Sequence, residues 1–306
     1  MINDMDNRTS EDKILIKNAL IIGAAMLVFI VFQRGSAIIA YQLLKLDRFF
    51  SPESGAEAVI STVCSYLFGG GACAVILTFA DRARQKKMSI GAPVILEALL
   101  ISATVVVIGN LLGNAVTFVL GGDNGFLEEV LDDNILVTVV SVVVISPVCE
   151  ELIFRRMLIP RLTPYGERTA VFFSAFAFAM LHGNFLQFFY TLGLGILFGY
   201  IFVKTGRVVY TVLIHALINL TGGVIAPFVT SKGETAIYVY TAITVLIAAI
   251  GAFFLCRRLQ SVRLSSPEKD TPASKKRVFV YLNPFSAAYF ILCAAVFVLT
   301  LLQNGR

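Results

Sequence analysis

The stretch ILVTVVSVVVISPVCEELIFRR, Ile135 to Arg156, begins as a long apolar run and ends in Cys149-Glu150-Glu151-Leu152-Ile153-Phe154-Arg155-Arg156. The run reads as a membrane-spanning helix. A charge near hydrocarbon costs roughly 2.5–3.5 kcal/mol even on lenient insertion scales, so carboxylates placed there face a protein interior and serve a function. Further along lie the chain's two histidines, His182 and His215, each also inside an apolar run.

Outward from this stretch the composition agrees. The chain is 57% hydrophobic and 15% charged over 306 residues, against about 25% charged in a soluble domain. This predicts an all-α, polytopic transmembrane helical bundle. Apolar runs at Ala19–Phe32, Ala56–Ala80, Ile90–Leu120, Ile135–Leu152, Thr169–His182, Phe185–Val203, Val208–Val229, Ala236–Cys256 and Val278–Leu302 give eight or nine spans, by the threshold of about 20 residues. Residues 34–54 read as an interfacial segment or an extension of the first helix. Residues 1–134 form N-terminal membrane helices, 135–230 a core carrying the polar residues, and 231–306 C-terminal helices with a basic linker at 257–277. The five cysteines form no C-x-x-C pair, so neither a disulfide framework nor a zinc ribbon is expected.

The net charge of +5 is concentrated in loops. It is a topology signal, not a nucleic-acid footprint, and no nucleic-acid partner is expected. The basic loops 81–87, 155–168, 204–207 and 257–277 fall on one side if each run crosses once, and the acidic loop 121–134 on the other. The expected place is the cell membrane, with the N-terminus and the Glu150–Glu151 end of the fourth helix toward the cytoplasm.

Residues four apart on a helix share a face. Glu151 and Arg155 are so placed and neutralise each other. Glu150 has Phe154 at that spacing and no local cation, which suits a general base. Pro147 lacks an N–H, so it kinks the helix, frees carbonyls and makes room for water beside Glu150. Phe178 and His182 lie one turn apart on the fifth helix, and His215 and Asn219 one turn apart on the seventh. Two convergent donors are what an oxyanion hole requires. Structural readings stand beside each of these: an interfacial Glu/Arg cluster for Glu151–Arg155, a satisfied core histidine for His182, and a polar pair gluing helices for His215 and Asn219. Gly193, Gly195 and Gly199 read as a close-packing face. Asn184 reads as a helix cap or substrate contact, and Glu97 as a pathway residue or boundary charge.

The order Glu-Glu-x-x-x-Arg (Glu150, Glu151, Arg155), Phe-x-x-x-His (Phe178, His182) and His-x-x-x-Asn (His215, Asn219) on separate helices resembles the CPBP family, the CAAX proteases and bacteriocin-processing enzymes also called the Abi family. The resemblance covers residues 135–225. It implies an intramembrane glutamic endopeptidase acting on membrane-associated peptides or proteins in the lipid bilayer, with no cofactor. By that analogy Glu150 and His182 activate a water, His215 and Asn219 stabilise the oxyanion, and Glu151, Arg155 and Phe178 support the site. Other readings stay open: a zinc protease with Glu150, His182 and His215 as ligands, although H-E-x-x-H spacing is absent; a proton-coupled transporter; or a non-catalytic immunity or scaffold protein.

Overall fold

The computed structural model describes residues 2–44, 56–121, 135–267 and 271–304. The acidic loop, from residue 122 on, and residues 45–54 lie outside this description. Among the described residues, ten helices follow in chain order and there is no strand. Helix α1 is Ile2–Leu44, so the apolar stretch after Arg34 extends the first helix. Helix α2 joins Ala56–Cys64, Ser65–Gly70 and Gly71–Leu77, and α3 is Ala92–Val119. Helix α4 covers 135–162, α5 is Glu167–Leu181, α6 is Phe185–Thr205, and α7 covers 208–230. Helices α8, α9 and α10 are Glu234–Leu259, Pro272–Leu282 and Pro284–Asn304.

Among the described residues, eight helical stretches are long and apolar enough to cross a membrane, and the chain is a multi-pass membrane protein. The fifth apolar run, α5, is the exception. Its 15 residues rise about 22 Å, less than the ~30 Å of hydrocarbon. It is instead the central post of the bundle, with Phe173, Ser174, Ala175, Ala177, Phe178 and Ala179 all buried. Two boundaries differ from the sequence reading. Helix α8 continues to Leu259 and α9 begins at Pro272, so the linker is shorter than 257–277. The last apolar run is also broken: Pro284 holds Asn283 extended, and the Asn283 side chain caps α10 by accepting from the Ser286 N–H at 3.1 Å.

The small residues of α6 do what the sequence suggested. A Cβ on Gly195 would sit 2.9 Å from Ala175, and one on Gly199 3.1 Å from Val171, so both glycines let α6 lie against α5. Gly193 faces Val105 of α3 instead. Gly206, with φ of 60°, ends α6 where a side chain would strike the Lys86 carbonyl.

The four basic loops gather at one end of the bundle. The Ala83 N–H donates to the Pro160 carbonyl at 2.8 Å, Met88 N–H to the Thr205 carbonyl at 2.8 Å, and Arg168 N–H to the Ser265 carbonyl at 3.2 Å. Glu167 joins two of the loops, accepting from Lys204 Nζ at 3.1 Å and from the Ser265 N–H at 2.8 Å. Arg161, buried at this end, donates from Nε to the Leu77 carbonyl at 2.5 Å.

Candidate active site

The backbone of α4 prepares the site. Val139–Ile145 and Leu152–Leu158 are π-helical, and the α-helical turn between them, Ser146–Glu151, carries the carboxylates. In a π turn each N–H reaches five residues back. The Ser146 N–H accordingly bonds to the Ser141 carbonyl. The next donor in that pattern would be residue 147, and proline has none. The Val142 carbonyl is left open, and Asn219 Nδ2 of α7 donates to it at 2.8 Å. Pro147 thus frees a carbonyl, as expected, and a polar side chain from another helix takes it.

Glu150 and Glu151 are both buried, the latter completely. His215 lies between them, with Nδ1 3.1 Å from Glu151 Oε1 and Nε2 3.7 Å from Glu150 Oε2. On the far side of Glu151, Arg155 Nε approaches Oε2 at 3.2 Å. The two atoms are close but not aligned for a hydrogen bond, so this is an ion contact. The guanidinium is fully enclosed, 4.7 Å from the centre of the Phe178 ring and 5.7 Å from that of Phe198. The aromatic faces stabilise the cation where hydrogen-bond partners are lacking.

Phe178 holds the halves of the site together. Its ring centre lies 4.9 Å from the His182 ring and 5.8 Å from the His215 ring, both edge-on, and 5.3 Å from Phe154. His182 Nδ1 is 3.0 Å from the Phe178 carbonyl. A carbonyl only accepts, so Nδ1 carries the proton and Nε2 keeps a lone pair. The same logic applies to His215: Nδ1 donates to the Glu151 carboxylate, so Nε2 donates only when the ring is an imidazolium. The sequence reading takes His215 as a donor, and this geometry adds that condition.

Glu150, Glu151, Arg155, Phe178, His182 and His215 therefore meet on α4, α5 and α7, while Asn219 sits one turn along α7 with its amide engaged at Val142. Asn184 caps α6, its Oδ1 accepting from the Gln187 N–H at 2.8 Å. Glu97 is a boundary charge clasped by Arg258 at 2.6 and 2.5 Å. Among the described residues, no three His, Cys, Asp or Glu side chains group so as to hold a metal ion. One residue at the site had no motif to announce it: Tyr66 of α2 donates its phenol to Glu150 Oε1 at 2.5 Å. The only sequence signal was a lone phenol inside an apolar run.

No curated protein and no solved structure matches the chain. Residues 132–221 match a family model described as "Rce1-like: Type II CAAX prenyl endopeptidase Rce1-like". The matched stretch contains α4, α5, α6 and the His215–Asn219 turn of α7, the segments that carry the motifs above. Over these residues the chain has an Rce1-like domain, consistent with the CPBP family that its three motifs resemble.

Proposed function

We propose that the protein is a glutamate-dependent intramembrane endopeptidase that cleaves membrane-associated peptides or proteins. An Rce1-like domain supports a membrane endopeptidase in general. The observation that carries the finer reading is the joint burial of Glu150 with His215, 3.7 Å away across two helices, in a chain with few buried charges. A buried carboxylate beside imidazole, walled by aromatic rings, is costly to maintain without a chemical use.

In this mechanism Glu150 takes a proton from a water as the water oxygen attacks the scissile carbonyl carbon. His182 assists through its unprotonated Nε2, since Nδ1 is committed to the Phe178 carbonyl. The carbonyl oxygen becomes an oxyanion. His215, as an imidazolium, donates to it from Nε2, and Asn219 donates from the amide hydrogen not used at Val142. Glu150 then returns its proton to the departing amine as the carbon–nitrogen bond breaks. Glu151 and Arg155 act on His215 and do not touch the substrate: Glu151 fixes the ring orientation, and Arg155 balances the Glu151 charge.

The active site opens toward the cytoplasm in this proposal, and so does the N-terminus. The gathering of the basic loops at one end of the bundle supports that orientation. No metal takes part in the proposed reaction. The test uses purified protein and quenched fluorescent peptides with a prenylated C-terminal CAAX box or the same box unprenylated. Wild type cleaves at least one and is indifferent to chelators, whereas Glu150→Gln loses at least about 100-fold. Loss of activity on chelation with recovery on zinc would overturn the metal-free mechanism, and full activity in Glu150→Gln would overturn the role of the carboxylate.

A further inference from the structure

Helix α2 lies outside the family-matched stretch, yet its middle is built to reach the site. Ser65–Gly70 is π-helical, and π turns inside α-helices occur frequently at functional positions. Two glycines in this segment allow the approach. A Cβ on Gly69 would lie 2.9 Å from the Phe29 carbonyl and the Gln33 nitrogen of α1, and one on Gly70 would lie 3.2 Å from Ile153 Cδ1 of α4. Helix α2 is therefore held against α1 on one side and against the turn after Glu151 on the other. Its neighbours Leu67 and Phe68 are exposed, while Tyr66 turns inward, packs against the main apolar core and meets Glu150.

A carboxylate has two oxygens, and the structure uses those of Glu150 differently. Oε1 accepts the phenol hydrogen of Tyr66 at 2.5 Å. Oε2 faces His215 Nε2 at 3.7 Å, too far for a hydrogen bond between them. A short bond from a neutral donor to a charged acceptor is among the stronger hydrogen bonds in proteins. It fixes the carboxylate plane at one oxygen and leaves the other directed at the imidazole, the side on which a water would be activated. Without the phenol, Oε1 would be a buried acceptor lacking its partner, and the side chain could rotate Oε2 away.

We propose that Tyr66 is a positioning residue for Glu150, supplied by the N-terminal half of the chain to the site formed by α4, α5 and α7. The inference rests on the reading of Glu150 as the base. The test compares infrared difference spectra of the purified full-length protein in lipid nanodiscs. The carboxylate stretch of Glu150 is the band lost in Glu150→Gln. In Tyr66→Phe that band shifts and broadens, and kcat on the peptide probe falls roughly 10- to 100-fold with KM unchanged. Fluorotyrosine at position 66, a more acidic donor with the same shape, moves the band in the opposite direction. A Glu150 band that is unchanged in Tyr66→Phe would overturn the proposal. So would a fluorotyrosine band that stays at the wild-type position. The spectrum is read without substrate, so its failure is distinct from failure of the protease reading, which would show as full cleavage by Glu150→Gln.

Discussion

Glu151 and Glu97 each face an arginine, and the two pairs obey different physics. Glu97 and Arg258 form a bidentate pair with hydrogen bonds of 2.6 and 2.5 Å, but the Arg258 side chain is 54% exposed. Glu151 and Arg155 are fully buried, their closest contact is 3.2 Å, and the guanidinium rests between aromatic rings. The pair with better hydrogen bonds is the one that matters less. Solvent and headgroups screen an exposed pair to about 1 kcal/mol or less. Removing one partner from a buried pair strands a charge, at about 3–5 kcal/mol.

Arg155→Ala should therefore give the largest effect, a loss of about 3–5 kcal/mol in unfolding free energy in detergent. Arg155→Lys should also be destabilised, because a compact, strongly hydrated ammonium is costlier to bury beside aromatic rings than a guanidinium. A wild-type melting temperature in Arg155→Ala would show that burial does not make this pair the stronger one. Gly195→Val sharpens it by replacing charge with steric overlap at the α5–α6 contact. The added side chain meets Ala175, and a loss of about 1–3 kcal/mol is expected by the same assay. Glu97→Gln should cost less than about 1 kcal/mol; a larger loss would mean that exposure does not separate the two pairs.

The smallest effect is local, at the basic end of the bundle. Partial burial would push the Glu167 carboxyl up, but the Ser265 N–H and Lys204 ammonium outweigh it and hold Glu167 below its usual value. A carboxyl depressed on folding stabilises the docked form above its unfolded pKa, about 4.3, and that contribution is lost as pH falls through the lower folded value. Glu167→Gln should thus open the linker near Ser265 to protease at neutral pH, whereas wild type opens only in acid below about pH 4. Equal protection of the two proteins at neutral pH would contradict the assignment.

The sequence made the bundle legible because apolar runs separated by charged loops leave few alternatives. It also made three of the site's helices legible, since Glu150, Glu151, Arg155, Phe178, His182, His215 and Asn219 stand out as polar or aromatic groups at one-turn spacing. Less legible was α5, whose run looks like any other span until its short length and extensive burial are seen together. The break at Asn283–Pro284 was hidden inside a continuous apolar count, although a proline there is a stop signal. The partner of Glu150 was not legible at all. Glu150 has no cation at one-turn spacing, as the sequence indicates, but Tyr66 lies 84 positions away, and nothing in a linear pattern joins them. The condition on His215 was equally hidden, because it depends on which ring nitrogen meets Glu151.

The proposed function requires Glu150 to carry out peptide-bond hydrolysis within the membrane. The most direct measurement is quantitative mapping of peptide termini in membranes from cells carrying wild type or Glu150→Ala at equal, correctly inserted levels. A defined set of new termini, present with wild type, should vanish with Glu150→Ala. An identical set of termini in both membranes would contradict it.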